Sequence, residues 1–257
     1  MKAINILNFI LKFWGYIPIL SLSDDNGYPD IHLSVDKENN KNICPRFSFI
    51  NIMFGAVCIR IISFAFKPLH FDLIKVNSMA GLKQFNLTDE EIKSKLDEYK
   101  NHYKKLNKKA KYIEKESLKR HLNDEKDRIS ISLSKVNMFS SFVLMILALV
   151  PIANLSKYLD YGLQVKIILI FEIYVLLNLL FLVMQTFEVK NHCMSKFSDL
   201  KNSSNKQKDT EYCVQIYYDW QQNIKKAELF VSYVLQFQEW IKIGIIISIM
   251  LAILIFI

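Results

Sequence analysis

Residues 165–187 read VKIILIFEIYVLLNLLFLVMQTF and contain only two charged side chains, Lys166 and Glu172. A helix rises about 1.5 Å per residue, so about 20 such residues cross a hydrocarbon layer about 30 Å thick. A water-soluble fold of this size would have to bury the whole run. We therefore predict a transmembrane helix over these residues.

Two further runs have the same character, namely 139–155 and 241–257, and lysine-rich sequence separates them from each other. The apolar share of the chain, 51%, is ordinary for a soluble protein and does not decide the class. The clustering of these residues decides it. It predicts an all-α, polytopic integral membrane protein with at least three helical spans.

Two weaker apolar segments raise the predicted number of spans to five. Segment 4–20 contains Lys12 together with the helix-weakening residues Gly15 and Pro18, so it either spans the bilayer or lies flat in the interface. Segment 47–66 contains Arg60, which a span tolerates if the guanidinium reaches the headgroups. The alternative for 47–66 is that it adds strands to a hairpin that precedes it.

That hairpin is predicted within the loop 21–46. Residues 20–23 and 31–35 both alternate apolar and polar side chains, which is typical of half-buried strands. Asn26-Gly27 lies between them, and Asn-Gly is a strong signal for a tight hairpin turn. We expect a short β-hairpin on the external side.

Lysine and arginine residues predict the orientation. Residues 67–135 contain 17 basic and 11 acidic side chains, 187–240 contain seven of each, and 156–164 contain one of each. Cytoplasmic segments are enriched in basic residues, so the long basic stretch is expected inside and the loop around Asp160 outside. The predicted regions are an N-terminal membrane region 1–66, a basic cytoplasmic helical region 67–135, a transmembrane hairpin 136–187, a second cytoplasmic helix 188–240 and a C-terminal span 241–257.

The first cytoplasmic region carries a helical pattern. Thr88 and Glu91 form a capping box, which predicts a helix that starts at 89. Apolar residues then recur at alternating gaps of four and three, which is a heptad seam. The seam comprises Ile92, Leu96, Tyr99, Tyr103, Leu106, Ala110 and Ile113. It slips at Ser117 and Arg120, and we predict a break near 123–124. The alternative is one helix that runs from 89 into the bilayer.

The second cytoplasmic region repeats the heptad pattern and leads directly into the last span. Its seam comprises Cys213, Tyr217, Trp220, Ile224, Ala227, Val231 and Val234. Both seams approach the membrane in the same chain direction, which is compatible with parallel packing within one subunit or between several. The alternative is that each seam is the inner face of a compact helical domain.

Sequence signatures of catalysis are absent. With six glycines, the chain has no G-x-G-x-x-G and no G-x-x-x-x-G-K-[ST], and it has neither G-x-S-x-G nor H-E-x-x-H. His192, Cys193 and Cys213 are too widely spaced for a typical zinc site. We predict no catalytic residues, no metal and no cofactor. The net charge of +8 predicts that the basic residues bind anionic lipid headgroups and not nucleic acid.

Polar residues within the predicted spans are the candidate site. Glu172 lies about 10 Å into its span, and Asn178 and Gln185 share another stripe of the same helix. Lys12 falls at a similar depth if 4–20 spans, whereas Arg60 lies nearer the inner side. The residues either form a polar pathway or hold the helices together by hydrogen bonds. The second role is favoured.

These features predict a non-enzymatic, oligomeric membrane protein, effector or channel-like, whose cytoplasmic helices sense or recruit a partner. The layout of 88–241, a cytoplasmic helix, a tight transmembrane hairpin and another cytoplasmic helix, resembles small membrane effectors of bacterial antiphage systems. The resemblance rests on layout without diagnostic residues, and it implies the bacterial inner membrane and a role in antiviral defence. The alternatives are an accessory subunit of a larger membrane complex and, less favoured, a transporter or intramembrane enzyme.

Overall fold

A computed structural model of the chain describes residues 21–23, 46–66, 69–79, 89–149, 162–187 and 208–256. Most of these residues are helical. The helices are α1 (Asp89–Lys105), α2 (Lys108–Leu149), α3 (Leu163–Phe187) and α4 (Lys208–Phe256). Three of them, α2, α3 and α4, are long and apolar enough to cross a membrane, and they contain the described parts of the predicted spans 139–155, 165–187 and 241–257.

The described residues also form a five-stranded antiparallel sheet, which corrects the all-α prediction. Its strands are β1 (Ser21–Ser23), β2 (Arg46–Phe54), β3 (Val57–Phe66), β4 (Leu69–Asp72) and β5 (Lys75–Ser78). The order is β1-β2-β3-β4, and β5 pairs with β3 beside β4. The sheet is therefore built around β3, which pairs with three other strands.

Segment 47–66 forms strands β2 and β3 and not a transmembrane helix, so the predicted span is wrong and the strand formation of the alternative is confirmed. The segment is rich in Ile, Val and Phe, which fit a pleated strand better than a helix. Gly55 and Ala56 divide it in two, and Gly55 adopts a φ of 58°. Such a left-handed glycine in a two-residue loop is typical of a tight hairpin.

Residues 21–23 form a strand as predicted, but their partner in the structure is β2. Ser21 pairs with Ser48 and Ser23 with Arg46. The predicted partner strand 31–35, the turn at Asn26-Gly27 and segment 4–20 lie outside the described residues.

Helix α1 begins at Asp89, as the capping box predicts, but the predicted break near 123–124 is wrong. The break lies at Leu106 and Asn107, where the Asn107 side chain accepts the N–H of Ala110 at 2.9 Å. Asparagine at this position is a strong N-cap and starts a new helix. Helix α2 then runs without interruption past Asn123.

The chain divides into two compact units. The sheet unit comprises Met1–Ala80, Val136–Glu188 and Tyr233–Ile257, and it holds the sheet with the apolar parts of α2, α3 and α4. The three-helix unit comprises Gly81–Lys135 and Val189–Ser232, and it holds α1 with the amino-terminal parts of α2 and α4.

Candidate functional site

Polar side chains of α3 hold the turn between β2 and β3. Gln185 Oε1 accepts the N–H of Ala56 at 2.7 Å, and Gln185 Nε2 donates to the carbonyl of Phe54 at 3.1 Å. The N–H of Gly55 donates to Asn178 Oδ1 at 3.2 Å. Two backbone groups of the two-residue turn and one of the preceding residue are therefore satisfied by two side chains of α3.

Tyr174 completes this arrangement, because its hydroxyl accepts the N–H of Met53 at 2.7 Å. Asn178 Nδ2 in turn donates to the carbonyl of Tyr174 at 3.0 Å, which orients the amide. The carbonyl of Ala56 accepts the N–H of Met79 at 3.0 Å. We call Tyr174, Asn178 and Gln185 the hairpin clasp.

The clasp approaches the turn so closely that only glycine fits at position 55. A Cβ atom built on Gly55 would collide with Gln185 Oε1 and would lie 3.0 Å from the backbone nitrogen of Leu182. A φ of 58° is also unfavourable for a residue with a side chain. The hairpin turn and α3 are therefore fitted to each other.

One face of the sheet carries buried polar groups close to the clasp. Cys58 and Arg60 are fully buried, each with 0% exposure, and Asn77 pairs with Cys58 across the β3–β5 register. Residues that pair directly project to the same face of a sheet. Arg60, predicted to reach the headgroups from a helix, is therefore a buried sheet residue on the face that carries Cys58 and Asn77.

Glu172 lies on a different side of α3 and contacts α4. Ser248 Oγ donates to Glu172 Oε1 at 2.8 Å. Nearby, Gly244 packs closely enough to Val175 that an added Cβ would lie 3.4 Å from its Cγ1. Lys12, the predicted partner of Glu172, lies outside the described residues.

The three-helix unit has an aromatic core. The rings of Tyr99 and Tyr217 stack with centroids 4.2 Å apart and an interplanar angle of 4°, and Tyr103 has 0% exposure. Cys213 is also buried in this cluster, which further contains Leu118 and Ile216. Residues of the two predicted seams therefore pack against each other within one chain.

Contacts between the helices show their directions. Tyr103 of α1 donates to Asp209 of α4, whereas the earlier Tyr99 stacks on the later Tyr217, so α1 runs antiparallel to α4. Helix α2 runs parallel to α4, because Lys115 contacts Asp209 and His121 stacks on Trp220. The parallel packing that the sequence allowed therefore applies to α2 but not to α1.

Asp209 is the centre of a small charged network in the first turn of α4. Its Oδ1 accepts Lys115 Nζ at 2.8 Å and its Oδ2 accepts the Tyr103 hydroxyl at 3.0 Å. The hydrogen bond from Lys115 holds the pKa of the Asp209 carboxyl below its usual range. The same bond raises the pKa of Lys115. Both groups therefore stay charged at neutral pH.

The remaining seam residues are divided between several environments. Leu106 and Trp220 pack at the edge of the aromatic cluster, and Ala227 and Val234 are buried. Ile113, in contrast, is 59% exposed. A single heptad seam cannot pass from α1 into α2, because the chain turns at Asn107. The half-buried seam residues are Leu96, Ala110, Ile224 and Val231, and the side chain of Ile92 lies outside the described set.

Sequence reasoning identified Asn178 and Gln185 but missed Tyr174 and Gly55. Tyr174 precedes Asn178 by four residues and Gln185 by eleven, which places all three within about 40° on one helix face. That spacing is the signal that would have found it. Gly55 was missed because its role depends on a partner more than a hundred residues away in sequence.

No protein-family model matches the chain, and no curated protein or solved structure matches it either. Within the residues that the structure describes, no group of three His, Cys, Asp or Glu side chains could hold a metal ion. His192 and Cys193, which were considered from sequence as metal ligands together with Cys213, lie outside them.

Proposed function

We propose that the protein is an integral membrane protein and a non-enzymatic effector whose cytoplasmic three-helix unit responds to a partner. The apolar helices α2, α3 and α4 support insertion into a membrane, because at most a third of the most apolar part of each helix is buried within the chain. Exposed apolar surface on this scale needs a partner, and lipid is the partner that suits whole helices. Anionic headgroups suit the flanking lysines.

The observation that carries the effector proposal is the continuity of α2 and α4. Each begins in the three-helix unit and continues without a break into its apolar half, over 42 residues in α2 and 49 in α4. An uninterrupted helix can transmit a shift or rotation along its axis. A partner that repacks the aromatic core would thereby act on the membrane part of the same helices. The resemblance in layout to antiphage effectors of the bacterial inner membrane also supports the effector proposal.

The sheet changes the proposed topology. Strand β5 ends at Ser78 and α1 begins at Asp89, and so short a connection would extend only about 15 Å as a helix, too little to cross a bilayer. In this proposal the chain therefore does not cross the bilayer between β5 and α1. The basic excess of 67–135 favours the cytoplasm for this region. The chain then crosses with α2, α3 and α4.

Thiol labelling in intact cells tests this topology. Single cysteines are introduced at Lys105, Asp160 and Asn205 in a variant whose four native cysteines are alanine. We expect an impermeant maleimide to label position 160 and to label 105 and 205 only after lysis. Labelling at 105 in intact cells would contradict the proposed orientation, and equal labelling at all three positions would contradict membrane insertion.

Overproduction tests the effector proposal against an accessory subunit. We expect the full chain to depolarise the cytoplasmic membrane and to arrest growth, as a potential-sensitive dye and plating would show. A chain that accumulates in the membrane without depolarisation would favour the accessory subunit.

Helix continuity is tested in the same assay at two exposed residues of α2, Ser134 and Lys135. Glycine at both positions weakens the helix by about 0.5–1 kcal/mol per site relative to alanine. We expect the double glycine variant to lose depolarisation at unchanged abundance. The matched control, alanine at both positions, removes the same side chains and should remain active. Equal activity of the two variants would contradict transmission along α2.

A further inference from the structure

The turn between β2 and β3 lies beside the apolar middle of α3. Between Lys166 and Glu188 the sequence has a single charged residue, Glu172, so this interval of about 30 Å matches a hydrocarbon layer. Asn178 precedes Glu188 by ten residues, or about 15 Å along the helix. The N–H of Gly55 bonds to Asn178, so the hairpin turn reaches the level of the hydrocarbon layer if α3 spans it.

Non-helical backbone is tolerated at such a depth only where its polar groups find protein partners. The clasp meets this requirement, because the N–H groups of Met53, Gly55 and Ala56 and the carbonyl of Phe54 all bond to α3 side chains. In water these groups would bond to solvent, and three polar side chains in an apolar helix would be unnecessary. The polar stripe of α3 is thus accounted for by a hairpin at membrane depth.

The outer surface of the turn is apolar and continuous with an exposed face of α3. Phe54 is 39% exposed, and its ring packs edge-on against Phe181 with centroids 5.7 Å apart. Phe181 belongs to a stripe of exposed large apolar side chains along α3. The stripe comprises Ile167, Ile170, Ile173, Leu177, Phe181 and Met184.

Further along the sheet, a second group of apolar side chains is exposed. Phe71, Leu73, Ile74 and Val76 are each 60% exposed or more, and Val76 pairs with Ile59 only a few residues from the turn. A sheet surrounded by water would not be expected to expose so many large apolar groups in six residues. The sheet therefore presents lipid-compatible surface beyond the turn itself.

We propose that the β2–β3 turn is a re-entrant element that enters the cytoplasmic side of the hydrocarbon layer beside α3 and presents Phe54 to lipid acyl chains. This inference rests on the proposed insertion of α3. It commits to lipid as the occupant because Phe54 continues the exposed stripe of a candidate span. It also explains why 47–66 has the hydropathy of a transmembrane segment although it forms strands.

Site-specific photocrosslinking tests the proposal in the full chain. Benzoylphenylalanine replaces Phe54 in one variant, Leu177 of the α3 stripe in a second and the exposed Lys126 of the three-helix unit in a third. Each is reconstituted into nanodiscs of phosphatidylcholine and phosphatidylglycerol, irradiated and examined by mass spectrometry. We expect acyl-chain adducts at 54 with a yield comparable to that at 177 and several-fold above that at 126.

The controls separate this proposal from the one on which it rests. Acyl-chain adducts at 177 without adducts at 54 would overturn the re-entrant turn and leave α3 in the membrane. Headgroup adducts at 54, or crosslinks from 54 to a second copy of the chain, would overturn it as well. Absence of adducts at 177 would instead overturn the membrane insertion of α3. Clasp integrity in the Phe54 variant is checked by slow maleimide labelling of the buried Cys58.

Discussion

Replacement of Gly55 with alanine is expected to open the hairpin and expose Cys58. The new Cβ would collide with the Gln185 side chain and crowd the backbone nitrogen of Leu182. A side chain at a φ of 58° adds about 1–2 kcal/mol of strain, and each buried turn group that loses its partner adds about 1–3 kcal/mol. A total loss near 3 kcal/mol corresponds to about a hundredfold faster labelling of Cys58.

The measurement is peptide-level mass spectrometry of maleimide labelling in the detergent-solubilised full chain. Gly244→Ala is the matched control, because it adds the same methyl group in the same unit at an ordinary 3.4 Å from Val175. Labelling of Cys58 at the native rate in Gly55→Ala would show that the clasp does not constrain the turn. Gln185→Ala added to Gly55→Ala should cost less than the sum of the two single changes, since the pair shares one contact.

Replacement of Tyr103 with alanine is expected to open the three-helix unit. Tyr103 has 0% exposure and its hydroxyl donates to Asp209, so the change leaves a cavity and removes a hydrogen bond. Large-to-small changes of buried aromatic residues cost about 3–5 kcal/mol. The buried thiol of Cys213 belongs to the same cluster, so its labelling should become at least a hundredfold faster. A hundredfold change in rate corresponds to a loss of about 2.7 kcal/mol in the free energy of opening.

Tyr112→Ala is the control for this change, because Tyr112 lies in the same unit and is 69% exposed. It should leave the labelling of Cys213 unchanged. Cys58, in the sheet unit, reports whether the effect is local. Unchanged labelling of Cys213 in Tyr103→Ala would contradict the aromatic core, and equal acceleration at both cysteines would show that the two units open together.

The seams show that periodicity predicts apolar helix faces but not what those faces pack against. The spacing that includes Tyr99, Tyr103 and Tyr217 predicted that these residues lie on apolar helix faces, and the structure places them in one cluster. Periodicity alone left two readings open, association between subunits and packing within one. Tyr99 and Tyr103 face α4 of the same chain because Asn107 caps a new helix and folds the chain back.

In the candidate site, the sequence identified polar residues of α3 but not their partners. Asn178 and Gln185 stood out in sequence because polar side chains are costly within an apolar helix. Their partners could not be read from sequence, since the contacts are to backbone groups of Gly55 and Ala56, which carry no side-chain signature. Glu172 likewise stood out, but Ser248 as its partner is a result of the packing of α3 on α4.

The sequence by itself determined the apolar helices and the start of α1, because local hydropathy and capping depend on neighbouring residues alone. It did not determine the state of 47–66, whose apolar composition suits either a span or two strands. Tertiary structure decided that question. A strand needs partners for its backbone groups, and β1, β4, β5 and the clasp on α3 supply them from elsewhere in the chain.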